Sequence, residues 1–203
     1  MDLSAGQLHG LNTALSEATC RGITVDDRGG KVSLTLDVLA LPGEAEQPTP
    51  NPTVVLALAG VARLAASLRS QRWDQIAPTV EKLALEDLST AVESFGGCHL
   101  HGWEFIDLPE SSWTQWGHLL SLDTRLSNDE APHVLEFSQE EGTSPRELDL
   151  RIWFTAIEIT SPSGDPIALE EFIAGGLRWW TAHDAGDPRT QADHLADDIA
   201  PPL

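Results

Sequence analysis

The sequence predicts an α+β protein with a mainly antiparallel sheet, and three observations lead to that prediction. Apolar and polar residues alternate on either side of turn-forming sequences, a pattern typical of strands joined in hairpins. Helical spacing of apolar residues appears near the N-terminus, in the middle and near the C-terminus. A hairpin at 21–40 followed by a strand at 53–67 matches a hairpin at 118–139 followed by a strand at 147–161, which indicates an internal duplication.

The first elements are a helix and a hairpin. Leu8, Leu11 and Leu15 lie at i, i+3 and i+7, which predicts an amphipathic helix over 5–18 with Asp2 or Ser4 as its N-cap. In the stretch "GITVDDRGGKVSLTLDV", apolar residues alternate with polar ones around the turn-forming "DDRGG". We therefore predict a β-hairpin with one buried face.

The next segments are a loop, a strand and a short helix. Four prolines make 42–52 an exposed loop, and the β-branched run at 53–59 indicates a strand. From Gly60 onward the sequence fits either a second strand or a helix. Apolar residues on one stripe of 85–95 predict a short helix, and 98–106 is predicted as a strand.

The second half is predicted to repeat the hairpin and the long strand. Segments 118–126 and 133–139 are predicted to form the hairpin, and 109–117 a helical turn before it. In the long strand at 147–160 the alternation changes phase at "TA", which indicates a bulge or a bend.

The last element is predicted as a helix over 166–183, with Pro166 at its first position. The pair Gly175-Gly176 costs a helix stability, and a close approach by a neighbouring element would justify it. We expect one domain over 1–203, with two similar halves at about 1–95 and 96–184 and an acidic, proline-containing tail at 185–203.

Charge is the most unusual global property of the chain. Twelve Lys and Arg stand against 32 Asp and Glu, a net charge of −20. Binding to nucleic acid or to an anionic membrane surface is disfavoured, because both need a basic surface. A basic protein partner fits this charge, although general solubility explains it as well.

The sequence lacks a secretory signal and any apolar run long enough to span a membrane, so we expect a cytoplasmic protein. In that compartment Cys20 and Cys98 are expected to be reduced thiols. Cys98 is interpreted as structural, because its surroundings are acidic and the flanking histidine points away from it on a strand.

The stretch "FGGCHLHGWEFID" (95–107) contains the densest group of reactive side chains. On a strand, alternation places His99, His101 and Trp103 on one face and Glu104 on the other. Two histidines on one face are a two-ligand metal geometry, but the cupin-like spacing to a following Glu is not met. We interpret these three residues as one aromatic face of the strand, which is the first candidate surface for binding a ligand. No cofactor is expected. A metal site on His99 and His101 is the alternative.

Exposed tryptophans are candidate binding anchors, because Trp is enriched at binding hot spots. Trp73 lies in the polar segment "SQRWDQ". On the C-terminal helix, Trp180 falls on the apolar stripe and is predicted to be core, which leaves Trp179 at the surface. Arg178 beside them would form a cation–π pair or part of a recognition patch.

The strings "DLSTAVESFGGCHLHGWEFIDLP", "LSLDTRL", "LDLRIWFTAIEI" and "EEFIAGGLRWWTAHDAGDPRT" resemble a group of uncharacterised acidic proteins of actinobacteria, over most of 20–190. The paired hairpins are more loosely similar to immunity proteins of bacterial toxin systems. This second resemblance implies a non-catalytic binding role, and it carries over no site residues.

Three functional hypotheses follow. The first is an acidic binding protein that neutralises or chaperones a basic protein partner, and short catalytic signatures such as G-x-S-x-G or H-E-x-x-H are absent from the sequence. The second is a metal-dependent or hydrolytic enzyme that uses His99 and His101. The third is a structural or regulatory subunit of a larger assembly.

Overall fold

The structure is a computed structural model that describes residues 3–43, 52–96, 100–105, 117–140 and 145–190; of 100–105 it describes the backbone alone. Its α-helices within these ranges are α1 (Ala5–Leu15), α2 (Leu88–Glu93) and α3 (Leu169–Asp184). Its strands are β1 (Thr19–Asp26), β2 (Lys31–Asp37), β3 (Thr53–Ala59), β4 (Arg63–Ser70), β5 (Thr79–Val80), β6 (Leu100–Phe105), β7 (Leu122–Arg125), β8 (His133–Glu140), β9 (Arg146–Phe154), β10 (Ala156–Thr160) and β11 (Pro166–Ile167). The α+β class, and the N-terminal, middle and C-terminal helices, are confirmed.

The strands form two antiparallel sheets. The first sheet has the order β1-β2-β3-β10-β11. The second has the order β5-β4-β9-β8-β6, and β7 also pairs with β4. Two long strands pass from one sheet to the other, because β3 continues as β4 and β9 continues as β10. The hydrophobic core is built from the apolar faces of both sheets together with residues of α1, α2 and α3.

Both long strands bend at the same level. Ala59 pairs with Ala156 on one side of the bend and Arg63 pairs with Trp153 on the other. Gly60 turns with φ +60°, and a Cβ there would lie 2.1 Å from the Thr155 hydroxyl, so only glycine fits. The bend predicted at "TA" is confirmed, and the ambiguous sequence after Gly60 is a second strand.

The order of elements repeats along the chain. The series α1, β1, β2, β3, β4, β5 is followed by α2, β6, β8, β9, β10, β11, with β7 and α3 as additions. The helix of each unit packs against the first strand of the other unit, since α1 lies against β6 and α2 lies against β1. By this order the second unit begins with α2 at Leu88, within the predicted first half.

The predicted hairpin between 118–126 and 133–139 is wrong. β7 pairs with β4, and β8 forms its hairpin with β9. Two polar contacts hold β7 on β4. The Arg63 guanidinium lies 2.7 Å from the Asp123 carboxylate, and the Ser121 hydroxyl accepts from the backbone N–H of Leu68 at 2.7 Å. Alternation predicted these strands, but it does not determine which strand each one pairs with.

Helix α1 begins and packs as its sequence requires. Ser4 is the N-cap, and its side chain and that of Gln7 form a capping box with each other's backbone. Helix α3 packs against α1 at glycine positions, because a Cβ on Gly176 would lie 2.5 Å from the Cα of Ala14. The close approach predicted from Gly175-Gly176 is therefore present at Gly176.

The prediction that Pro166 opens α3 is wrong, because Pro166 belongs to a strand. The short strand β11 pairs with β10, with Pro166 opposite Thr160, and the helix begins at Leu169 after the N-cap Ala168. Ile167 lies opposite Ile159 and packs against the core from the sheet, not from the helix. Ile167, which follows Pro166, thus pairs in the sheet two residues before the helix begins.

Candidate functional site

The turn between β4 and β5 presents two large apolar side chains to solvent. The relative solvent-accessible area is 95% for Trp73 and 103% for Ile76. Trp is enriched at binding hot spots, and a second large apolar side chain lies three residues away, so the turn is a candidate interaction site. The exposure predicted for Trp73 is confirmed. Ile76 was missed, although its spacing of three residues from Trp73 in a polar segment was visible in the sequence.

Carboxylates from the β8–β9 hairpin lie at the same end of the second sheet. Glu140 pairs with Glu147 in the register, and Asp149 follows two residues later on the same face. The Arg69 guanidinium of β4 makes ion pairs with both Glu147 and Asp149. The three carboxylates against one guanidinium leave a local surplus of two negative charges (3 − 1 = 2).

The turn and the carboxylates are joined through the backbone. The N–H of Gln71, the first residue after β4, donates to the carbonyl of Pro145 just before β9, at 3.0 Å. The nearby cation Arg146 belongs to the other face, where it contacts the Ser94 hydroxyl at 3.1 Å and the Phe95 ring at 4.9 Å. We call the set Trp73, Ile76, Glu140, Glu147 and Asp149 the acidic end of the second sheet.

Glu147 is the titratable group of this set whose environment opposes ionisation. Burial raises the pKa of its carboxyl above the ordinary value, and repulsion from Asp149 and Glu140 adds to that effect. Attraction to Arg69 lowers the pKa but does not cancel the rise. The carboxylates are thus close enough to repel one another, which a cation brought by a partner would relieve.

Elsewhere on this sheet face, two described ion pairs each join one guanidinium to one carboxylate. Arg151 lies 2.5 Å from Glu136, and Arg63, which pairs with Asp123, also lies 4.9 Å from the centre of the Trp153 ring. Among the described ion pairs of this face, the one with more carboxylates than guanidinium groups therefore lies at its end, beside the exposed turn. Cross-strand register produced this arrangement, and one strand's sequence alone carries no signal for it.

Trp179 is not at the surface, which corrects the prediction. It is 9% exposed, lies on the same stripe of α3 as Phe172 and Gly176, and stacks on His183 with ring centroids 4.9 Å apart. Trp180 is half-buried instead. The predicted helix phase was wrong for two reasons. Ile167 was counted in the helix, and Gly176, which contacts α1, has no side chain to mark the buried stripe.

Arg178 acts as a structural tie. Its Nε donates to the carbonyl of Leu41 at 2.9 Å and its Nη2 to Glu171 at 2.6 Å, while the Leu41 N–H donates to the carbonyl of Gly175 at 3.1 Å. These bonds hold the segment after β2 against α3. Two clefts of about 330 and 440 Å³ share Leu41, Pro42 and Arg178 as lining.

The histidine stretch lies mainly outside the described residues. His99 and Cys98 fall outside them, and for His101 and Trp103 the backbone places both residues in β6. The register between β6 and β8 shifts between His101 and Glu104, so the strict alternation used for the predicted face is interrupted there. Among the described residues, the structure has no group of three or more His, Cys, Asp and Glu able to hold a metal ion.

Cys20 is a free thiol in the core. It is 1% exposed, and burial raises its pKa to about 11. A thiol that stays protonated at neutral pH is a poor nucleophile, so the geometry assigns Cys20 a packing role.

In the part of the chain that the structure describes, no helix combines the length and the apolar character needed to cross a membrane. Comparisons of the chain with protein-family models, with curated proteins and with solved structures found no match.

Proposed function

We propose that the chain is a non-catalytic, cytoplasmic binding protein that neutralises or chaperones a basic protein partner through the acidic end of the second sheet. The observation that carries this proposal is the pairing of two fully exposed apolar side chains with a surplus of carboxylates. Aromatic anchors supply binding free energy at protein interfaces, and charge surplus supplies orientation and association rate.

Charge complementarity supports a protein partner over nucleic acid. The chain carries −20 overall, so any approaching polyanion is repelled at long range. A cationic protein is attracted over the same distance, and its Lys or Arg side chains would compensate Glu140, Glu147 and Asp149. The looser resemblance to immunity proteins of toxin systems agrees with this role.

The proposal is tested by affinity capture from the native host, including the products of adjacent genes, at low and high salt. The bait is compared with Glu140→Gln/Glu147→Gln, which removes two charges at the acidic end. A matched control, Glu130→Gln/Glu158→Gln, removes two charges from exposed positions elsewhere.

We expect the wild type and the matched control to enrich the same basic protein at low salt, and the acidic-end variant to lose most of it. Retention should fall as salt rises, because exposed charges are screened. Capture of no basic protein, or equal capture by both double variants, would contradict the proposal.

A further inference from the structure

The apolar pair at the turn protrudes, and this shape limits what can bind it. Trp73 and Ile76 are exposed to almost their full extent, whereas Leu177, the other large apolar residue described as exposed, reaches 42%. A side chain that is almost completely exposed and contacts little of its own protein is a convex feature. Its binding partner must supply the concave surface.

Hydrogen bonds order the backbone of the turn on both sides of Trp73. Gln75 donates its N–H to the carbonyl of Arg72 at 3.0 Å, and its side-chain oxygen accepts from the Arg72 N–H at 2.9 Å. The Gln71 side chain donates to the carbonyl of Gln75 at 3.1 Å. Since both ends of the turn are also fixed by the pairing of β4 with β5, binding costs less backbone entropy than the ordering of a free loop would.

The shape and the charge disfavour two other occupants. An unfolded basic chain has no preformed pocket to enclose an indole, and hot-spot side chains contribute most in well-packed pockets. An anionic membrane surface would be repelled by the neighbouring carboxylates. A buried Trp side chain contributes about 150–250 Å² of contact, which is productive only in a fitted cavity.

We propose that the partner is a folded basic protein with an apolar pocket that receives Trp73 and Ile76, and with cationic side chains at the rim of that pocket that contact Glu140 and Glu147. This inference rests on the proposed function and specifies it. Neutralisation of a folded partner is then the role, and chaperoning of an unfolded one is not.

The experiment uses the basic protein captured by the wild-type bait, purified and titrated calorimetrically against variants of this chain. Trp73→Ala and Ile76→Ala test the anchor, and Leu177→Ala is the matched control for loss of an exposed apolar group. Because Trp73 and Ile76 contact little in the free protein, their variants should keep the wild-type melting temperature. The same titration is repeated with a variant of the captured protein that circular dichroism shows to be unfolded in the titration buffer.

We expect Trp73→Ala to weaken binding about 30-fold or more, the range of interface hot spots, and Leu177→Ala to leave it within about twofold. The unfolded protein should not bind. Full affinity in Trp73→Ala, with binding lost in Glu140→Gln/Glu147→Gln, would overturn this inference while the proposed function stands. Tight binding of the unfolded protein would also overturn it, as would Trp73-dependent self-association of the chain by sedimentation.

Discussion

Replacing Gly176 by alanine is expected to destabilise the protein, whereas the same replacement at the adjacent Gly175 is expected to stabilise it. Each substitution gains about 1 kcal/mol of helix propensity. At Gly176 a Cβ would lie 2.5 Å from the Cα and 2.6 Å from the Cβ of Ala14, so α1 and α3 would have to separate. At Gly175 the nearest atom is the Cβ of Ala40 at 3.4 Å, which is close to ordinary van der Waals separation.

The magnitudes follow from packing. Carbon atoms pack at about 3.5–4.0 Å, so Gly176→Ala requires a shift of about 1 Å along the whole interface between the two helices. Overpacking of this kind costs about 1–3 kcal/mol. After the propensity gain, Gly176→Ala should lose up to about 2 kcal/mol of unfolding free energy, and Gly175→Ala should gain up to about 1 kcal/mol.

Urea unfolding followed by far-UV circular dichroism measures both values, and unchanged m-values would show that the unfolded states are comparable. Adding Ala14→Gly to Gly176→Ala should not restore the wild-type stability, because the Cα at position 14 still crowds the new side chain and the glycine costs α1 about 1 kcal/mol of helix propensity. Equal stability of the two single variants, or the opposite order, would refute the close approach of α1 and α3.

Three further substitutions test other parts of the fold. Gln139 is fully buried, and neither the nitrogen nor the oxygen of its side-chain amide has a hydrogen-bond partner among the described residues. Gln139→Met should therefore raise the free energy of unfolding, measured in urea, by about 1–3 kcal/mol. A lower free energy of unfolding would contradict the absence of a partner. Burial raises the pKa of Cys20 from 9.0 to about 11, so the unfolded thiol ionises first and stability should fall as pH rises from 9 towards 11. Pulse proteolysis across this pH range should show that Cys20→Ala lacks this component. Glu17 adopts φ 59° after α1, and thermal melts of Glu17→Gly should show a gain of up to about 1 kcal/mol; a lower melting temperature would contradict strain there.

Local patterns predicted the elements well, because they depend on neighbours in sequence. The hairpin at β1 and β2, the cap at Ser4 and the bend at Thr155 all follow from periodicity and turn chemistry within a few residues. Pairing between distant strands does not. The position of β7 on β4 depends on Ser121 and Asp123, whose partners lie about 50–60 residues away.

The candidate site shows the same division. Trp73 was predicted to be exposed because its neighbours in sequence are polar, and that local signal was correct. Trp179 was misplaced, because its burial depends on the true start of α3 and on a glycine that packs against α1. Glu140, Glu147 and Asp149 cluster with Arg69 because of the register between β4, β9 and β8. The sequence of one strand alone does not determine that register.

The two long strands that each belong to both sheets tie the folding of one half of the chain to that of the other. Ala59 and Ala156, roughly one hundred residues apart, must meet before the first sheet is complete, and Arg63 and Trp153 must meet before the second is. Closing such long loops costs entropy early and makes folding slow. A chain cut between β5 and α2 would therefore separate β3 and β4 from β10 and β9, the strands with which they pair. Only when mixed would these fragments regain structure, as complementing halves of a single cooperative unit.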